Sequence, residues 1–154
     1  MKKSFLTLCA VLACVMGFVA CSSNDDEEKK VSIVGGWQVE SATATTQIMP
    51  TPIPLTDMVK EYVSTIVFNE NGTMLPAEMF EKYTLENNTL TIGLTQAIST
   101  LIGMDKLTCN VAELTEKTLS VKADNISIEV IPGTPMTVSI TMNFTRVPEN
   151  VPNR

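Results

Sequence analysis

Between residues 31 and 147 apolar and polar positions mostly alternate in twos. Val138, Ile140, Met142 and Phe144 interleave with Thr137, Ser139, Thr141, Asn143 and Thr145. A strand turns successive side chains to opposite faces, so this period predicts one face for a core and one for water. The pattern recurs in Leu90/Ile92/Leu94, Leu107/Cys109/Val111, Leu119/Val121/Ala123 and Ile126/Ile128/Val130, with Tyr83/Leu85 ahead of them. Strands with one apolar and one polar face belong to antiparallel sheets.

The segments between these runs are turn formers. Asn69-Glu70-Asn71-Gly72-Thr73 is a hairpin signal, because Asn-Gly tolerates the positive φ angles of tight turns. Glu86-Asn87-Asn88, Thr115-Glu116-Lys117 and Pro132-Gly133-Thr134-Pro135 are further turn clusters, so successive strands should be neighbours. The fold class expected is all-β: an antiparallel up-and-down meander of about eight strands that closes into a β-barrel and leaves no adhesive edge.

Two stretches depart from alternation. Gln47 to Leu55 alternates proline with apolar residues and predicts an extended loop exposing Ile48, Met49, Ile53 and Leu55. Beyond it Thr56 and Asp57 could cap a short helix carrying Met58, Val59, Tyr62 and Val63 on one face, before a strand at Ile66-Val67-Phe68. The second stretch, Thr95 to Met104, predicts a short helix or wide loop. Each could lie over an open barrel end as a lid or plug the core. Ile48, Met49, Ile53, Leu55, Met58, Tyr62 and Met104 are the candidate ligand-lining or lid residues.

The first 20 residues read as an export signal. Lys2 and Lys3 precede an apolar run from Phe5 to Phe18, about 14 residues long and shorter than the roughly 20 needed to span a bilayer. Its end, Phe18-Val19-Ala20-Cys21, resembles the lipobox of bacterial lipoproteins, with Phe18 where that box usually has Leu. The resemblance implies a diacylglyceryl Cys21 as the mature N-terminus and anchor in the membrane. Residues 22 to 30, Ser-Ser-Asn-Asp-Asp-Glu-Glu-Lys-Lys, contain nothing that could join a core and read as a solvated acidic tether. An acidic cluster behind the lipidated cysteine is similar to the surface-export signal of Bacteroidetes lipoproteins, which implies an outer-membrane protein facing outward. The expected organisation is a signal peptide (1–20), a tether (21–30), a barrel domain (31–147) and a tail (148–154).

Composition narrows the chemistry. The chain of 154 residues has no histidine, which removes Ser-His-Asp and Cys-His nucleophiles and His-containing zinc sites. No glycine-rich phosphate loop or calcium-loop motif is present, and Glu40, Glu113, Asp124 and Glu129 are scattered singly. No catalytic residue, metal or cofactor is therefore expected. Processing removes Lys2 and Lys3 and leaves nine basic against 17 acidic residues, a net charge near −8 that disfavours nucleic acid. Of four cysteines only Cys109 stays free in the mature chain, so no intramolecular disulfide can form. Its apolar alternation places it in the core as an inert thiol.

Gly35-Gly36-Trp37 opens the first strand and Phe144-Thr145-Arg146 closes the last. A G-x-W start, a large loop, a run of meander strands and a terminal-strand arginine resemble the lipocalin, or calycin, pattern. With the lipobox, tether and Asn-Gly-Thr hairpin, the chain resembles the small lipocalin-like lipoproteins of gut Bacteroidetes. The resemblance implies that Gly35, Trp37 and Arg146 close one barrel end, with Arg146 packed across the indole. It departs from the pattern in lacking a long C-terminal helix and a disulfide. Two non-catalytic functions follow as expectations. One is binding of a small apolar or amphipathic molecule inside the barrel, with mature methionines as an adaptable lining. The other is a surface interaction or adhesion module, with a filled barrel or sandwich and an envelope protein as partner.

Overall fold

The computed structural model describes the backbone of residues 30–148 and their side chains except at 129–131. The signal segment, Cys21, the tether as far as residue 29 and the tail beyond 148 lie outside the described residues. Nine strands and two short helices follow one another among the described residues. They are β1 (Gly35–Thr46), β2 (Ile53–Pro54), α1 (Thr56–Tyr62), β3 (Thr65–Phe68), β4 (Met74–Leu75), β5 (Phe80–Glu86), β6 (Thr89–Leu94), α2 (Gln96–Ile102), β7 (Lys106–Leu114), β8 (Thr118–Ile131) and β9 (Thr134–Arg146).

The wall order is β4-β3-β1-β9-β8-β7-β6-β5, with β2 added to the edge of β1 and every pairing antiparallel. The two outer members, β4 and β5, meet through one bridge between Thr73 and Lys82, beside a 2.8 Å bond from the Tyr83 amide to the Gly72 carbonyl. The expected up-and-down meander is therefore present: eight wall strands nearly closed into a barrel, with a thin seam between β4 and β5. An eight-stranded barrel is just wide enough for side chains to fill. Here Trp37, Val39, Phe68, Met74, Leu90, Leu119, Val121 and Phe144 belong to one buried cluster. No polar side chain is fully buried among the described residues.

Local chemistry explains the turns. Asn87 and Asn88 both hold positive φ, 47° and 64°, between the paired ends Glu86 and Thr89, the geometry that matches strand twist in a two-residue hairpin. At the Asn-Gly turn Gly72 has φ 81°, and the Asn71 side-chain oxygen accepts from the Thr73 amide at 3.0 Å.

Four details differ from the sequence expectation. The runs at 119–123 and 126–130 are one strand, β8, with a bulge between Ala123 and Ile126 and Asn125 at φ 56°. The extra residue shifts the phase of alternation while Ala123 and Ile126 still oppose Ile140 and Val138. Within the proline-rich loop, Ile53 and Pro54 pair with Ala44 and Thr43, which an edge position allows. Neither Thr56 nor Asp57 caps α1. Leu55 holds the N-cap position and, being aliphatic, makes no side-chain bond, while the Thr56 hydroxyl accepts from the Ala42 N–H and donates to its C=O. The apolar stripe of α1 is also split: Val63 is buried and Val59 packs on the core, while Met58 and Tyr62 are exposed. A seven-residue helix lodged between β2 and β3 along the edge of β1 reaches the core with only part of its stripe.

Candidate functional site

At one end Gly35, Trp37 and Arg146 come together. Trp37 has no exposed surface, and its indole N–H donates to the Ile33 carbonyl at 2.7 Å. The Arg146 guanidinium carbon lies 4.2 Å from the indole centroid, a cation–π distance. Its Nη1 and Nη2 donate to the carbonyls of Val34 at 2.7 Å and Ser32 at 2.6 Å. Gly35 has φ 124°, an angle that calls for glycine, and a Cβ there would press on Arg146 Nη1 at 2.7 Å and shift the guanidinium. Residues 32 to 34 are thus laid along the Trp37 end, and the chain enters the barrel there.

The other end is where β1, β4 and β6 finish. Seven large hydrophobic side chains are exposed among the described residues: Ile48, Met49, Met58, Tyr62, Leu75, Leu101 and Ile102. Ile48 and Met49 follow β1, Met58 and Tyr62 sit on α1 ahead of β3, Leu75 ends β4, and Leu101 and Ile102 end α2 after β6. Ile48 is 82% exposed, Leu101 80% and Tyr62 74%, values that a folded chain seldom gives side chains of this size in company. Each helix also sends one side chain inward, Val59 from α1 and Ile98 from α2, so both elements plug the core and expose apolar residues at once.

The expected lining set is not gathered around one cavity. Ile48, Met49, Met58 and Tyr62 are exposed, Ile53 and Leu55 half-buried, and Met104 packs on the core cluster. The mature methionines divide likewise: Met74 is buried, Met79, Met104 and Met142 pack against the core, and Met49 and Met58 face solvent.

Two open grooves lie on the outside of the wall. A groove of about 490 Å³ beside α1 is lined by Tyr62, Val63, Val67, Leu75, Pro76 and Glu78. A second, of about 380 Å³, lies toward the Trp37 end and is lined by polar residues that include Glu40, Glu113, Ser120, Asn143 and Thr145. There the Thr118 hydroxyl donates to Glu113, and Asn143 Nδ2 to the Ser41 hydroxyl at 2.9 Å. The sequence presents Glu40 and Glu113 as scattered, and β1, β9, β8 and β7 carry them to one groove. The candidate residues leave out three of the exposed apolar side chains: Leu101 and Ile102, which lie in the second irregular stretch, and Leu75, which alternation with the buried Met74 turns to the outside of the wall.

Cys109 is buried, and burial pushes its thiol up to about 11, away from thiolate chemistry. Tyr83 is raised by burial and then by Glu70; its hydroxyl donates to the Asn69 carbonyl at 2.9 Å and its ring meets Phe68 edge-on at 4.9 Å. Asp124 is lowered, first by the Lys122 ammonium and then by the Ser139 hydroxyl. Among the described residues no group of three or more acidic or cysteine side chains could hold a metal ion.

No protein-family model and no curated protein matches the chain. Among solved structures, an uncharacterized protein from Bacteroides eggerthii is similar over 75% of this chain and 100% of its own, at 15% identity and a TM-score of 0.39.

Proposed function

We propose that this chain is a lipocalin-like lipoprotein of a Gram-negative outer membrane, held by diacylglyceryl Cys21, whose barrel is a non-catalytic protein-interaction module. The observation that carries this reading is the number of large apolar side chains left outside a packed core. Seven are exposed among the described residues, on the segments that follow β1, on α1, at the end of β4 and at the end of α2. Exposed apolar groups in such number are a feature of binding surfaces and an aggregation hazard otherwise. Packing favours the module over the carrier: inward side chains from all eight wall strands touch one another, with Trp37 and Val39 wholly buried. The residue inventory supports a non-catalytic role, since histidine is absent and Cys109 is held as a thiol.

Native mass spectrometry, with organic extraction, of the full lipoprotein from its own envelope tests this reading. A second protein bound at fixed stoichiometry is the expected result. A stoichiometric small molecule released from the barrel would overturn it in favour of a carrier.

A further inference from the structure

Three long stretches of the chain, 41–56, 87–104 and 130–145, carry no charged residue. Charged residues make up 18% of the sequence, so one stretch of that length without any is uncommon and three call for a cause. The strand registers bring parts of all three to one rim of the barrel. Thr46, where β1 ends, pairs with Val138, so the loop that carries Ile48 and Met49 lies beside the β8–β9 hairpin and its turn at Pro132 and Gly133. β6 ends at the same rim, because Gly93 pairs with Lys106 at the start of β7, and α2 joins the two strands there. In the wall β1, β9, β8, β7 and β6 are consecutive, so loop, hairpin and α2 form one arc about 20 Å long at the usual spacing between strands. Ile48, Met49, Leu101 and Ile102 stand exposed on this arc, with Pro50 in the loop and Pro132 at the turn exposed beside them. The charged residues that border it are Asp105 and Lys106, adjacent and opposite in sign, Glu129 on β8, and Glu78, whose carbonyl accepts from the Thr95 hydroxyl at the start of α2 at 2.8 Å.

We infer that this rim docks a second copy of the chain, rim against rim about a two-fold axis. The inference rests on the interaction-module reading and names its surface and its partner. A two-fold contact sets a patch against itself, so a charged patch meets its own sign, whereas an uncharged apolar patch meets its complement. On an acidic chain that condition is met where the three charge-free stretches converge. The area is also sufficient. The four exposed side chains present on the order of 500 Å² per copy, or about 1,000 Å² for two, which is the area a specific interface has to clear. Pro50 and Pro132 add to it from segments that proline has already stiffened, and a stiff segment loses little entropy on docking. Other occupants fit less well. Segments that lie on a bilayer place tryptophan or tyrosine and basic residues at the lipid boundary, and residues 46–52, 94–104 and 130–138 contain none of these. A partner recognised through charge would find few groups on the arc to pair with.

The test is sedimentation of the full lipoprotein over a dilution series, with detergent micelles in large excess so that two copies do not share one by chance. The expected result is a monomer–dimer equilibrium that shifts with concentration. Ile48→Ser with Leu101→Ser should raise its dissociation constant about tenfold. The control is Met58→Ser with Tyr62→Ser, which removes two exposed apolar side chains from α1, alongside the middle of β1 between the Thr43–Pro54 and Gln38–Thr65 pairings. It should leave the constant within about twofold. Circular dichroism in the dilute, monomeric range should give both variants the parent thermal midpoint, so that lost pairing reads as lost contact and not as lost fold. A monomer at every concentration, equal weakening by the two double variants, or indifference to Ile48→Ser with Leu101→Ser would each overturn the inference. If the rim fails while envelope-purified lipoprotein carries a different protein at fixed stoichiometry, only the second copy falls. If that sample carries a small molecule instead, the module reading falls with it.

Discussion

Trp37 does the work of a side chain and of a stopper. It is fully buried, donates to Ile33, and has the Arg146 guanidinium over its ring. Arg146 Nε is buried without a hydrogen-bond partner, and the indole face supplies that side of the guanidinium with its electrostatic contact. Trp37→Ala should therefore lower stability by roughly 3–5 kcal/mol, because a large cavity opens where nothing can collapse into it. Chemical denaturation measures the loss, and a midpoint unchanged from the parent would mean that the Trp37 end is not part of the cooperative core. Cys109 gives a pH prediction. Its thiol is raised from 9.0 to about 11 in the fold, so between those pH values the unfolded chain has lost a proton that the folded chain keeps. The stabilisation is complete below pH 9 and is lost as pH rises through about 11, on the order of 2 kcal/mol for a shift of this size. Stability curves of the parent and Cys109→Ala should run parallel up to about pH 9 and converge above it.

At the scale of elements, the strands and turns were legible because their causes are local. The Asn87-Asn88 turn needs two positive φ angles, and the period of two in β9 marks its inward face without reference to any other strand. The helices were legible only as existing. Nothing in Met58, Val59, Tyr62 and Val63 says that α1 is wedged against the edge of β1, and that wedge decides which residues reach the core. The candidate site suffered for the same reason. The sequence shows Tyr62 on an amphipathic helix, but Leu75 comes from another element, and only the fold brings the two to one groove. The split of α1 is measurable. Val59→Ser should destabilise the protein by about 1–2 kcal/mol, since it removes an apolar contact with the core. Met58→Ser should stay within about 0.5 kcal/mol, because Met58 is 53% exposed. Equal effects in thermal melts would show that α1 buries its whole stripe.

For the whole molecule the deciding feature is the seam. β8 and β9 are paired along eleven register positions, whereas β4 and β5 share one bridge and the Tyr83–Gly72 bond. Local opening follows the weakest ladder, so the barrel should breathe at the seam before anywhere else in the wall. In hydrogen exchange on the full lipoprotein, the Tyr83 amide should exchange well before those of Val121 and Met142, which lie opposite one another in the β8–β9 ladder. Similar protection at all three would mean that the wall is closed more firmly than one bridge allows.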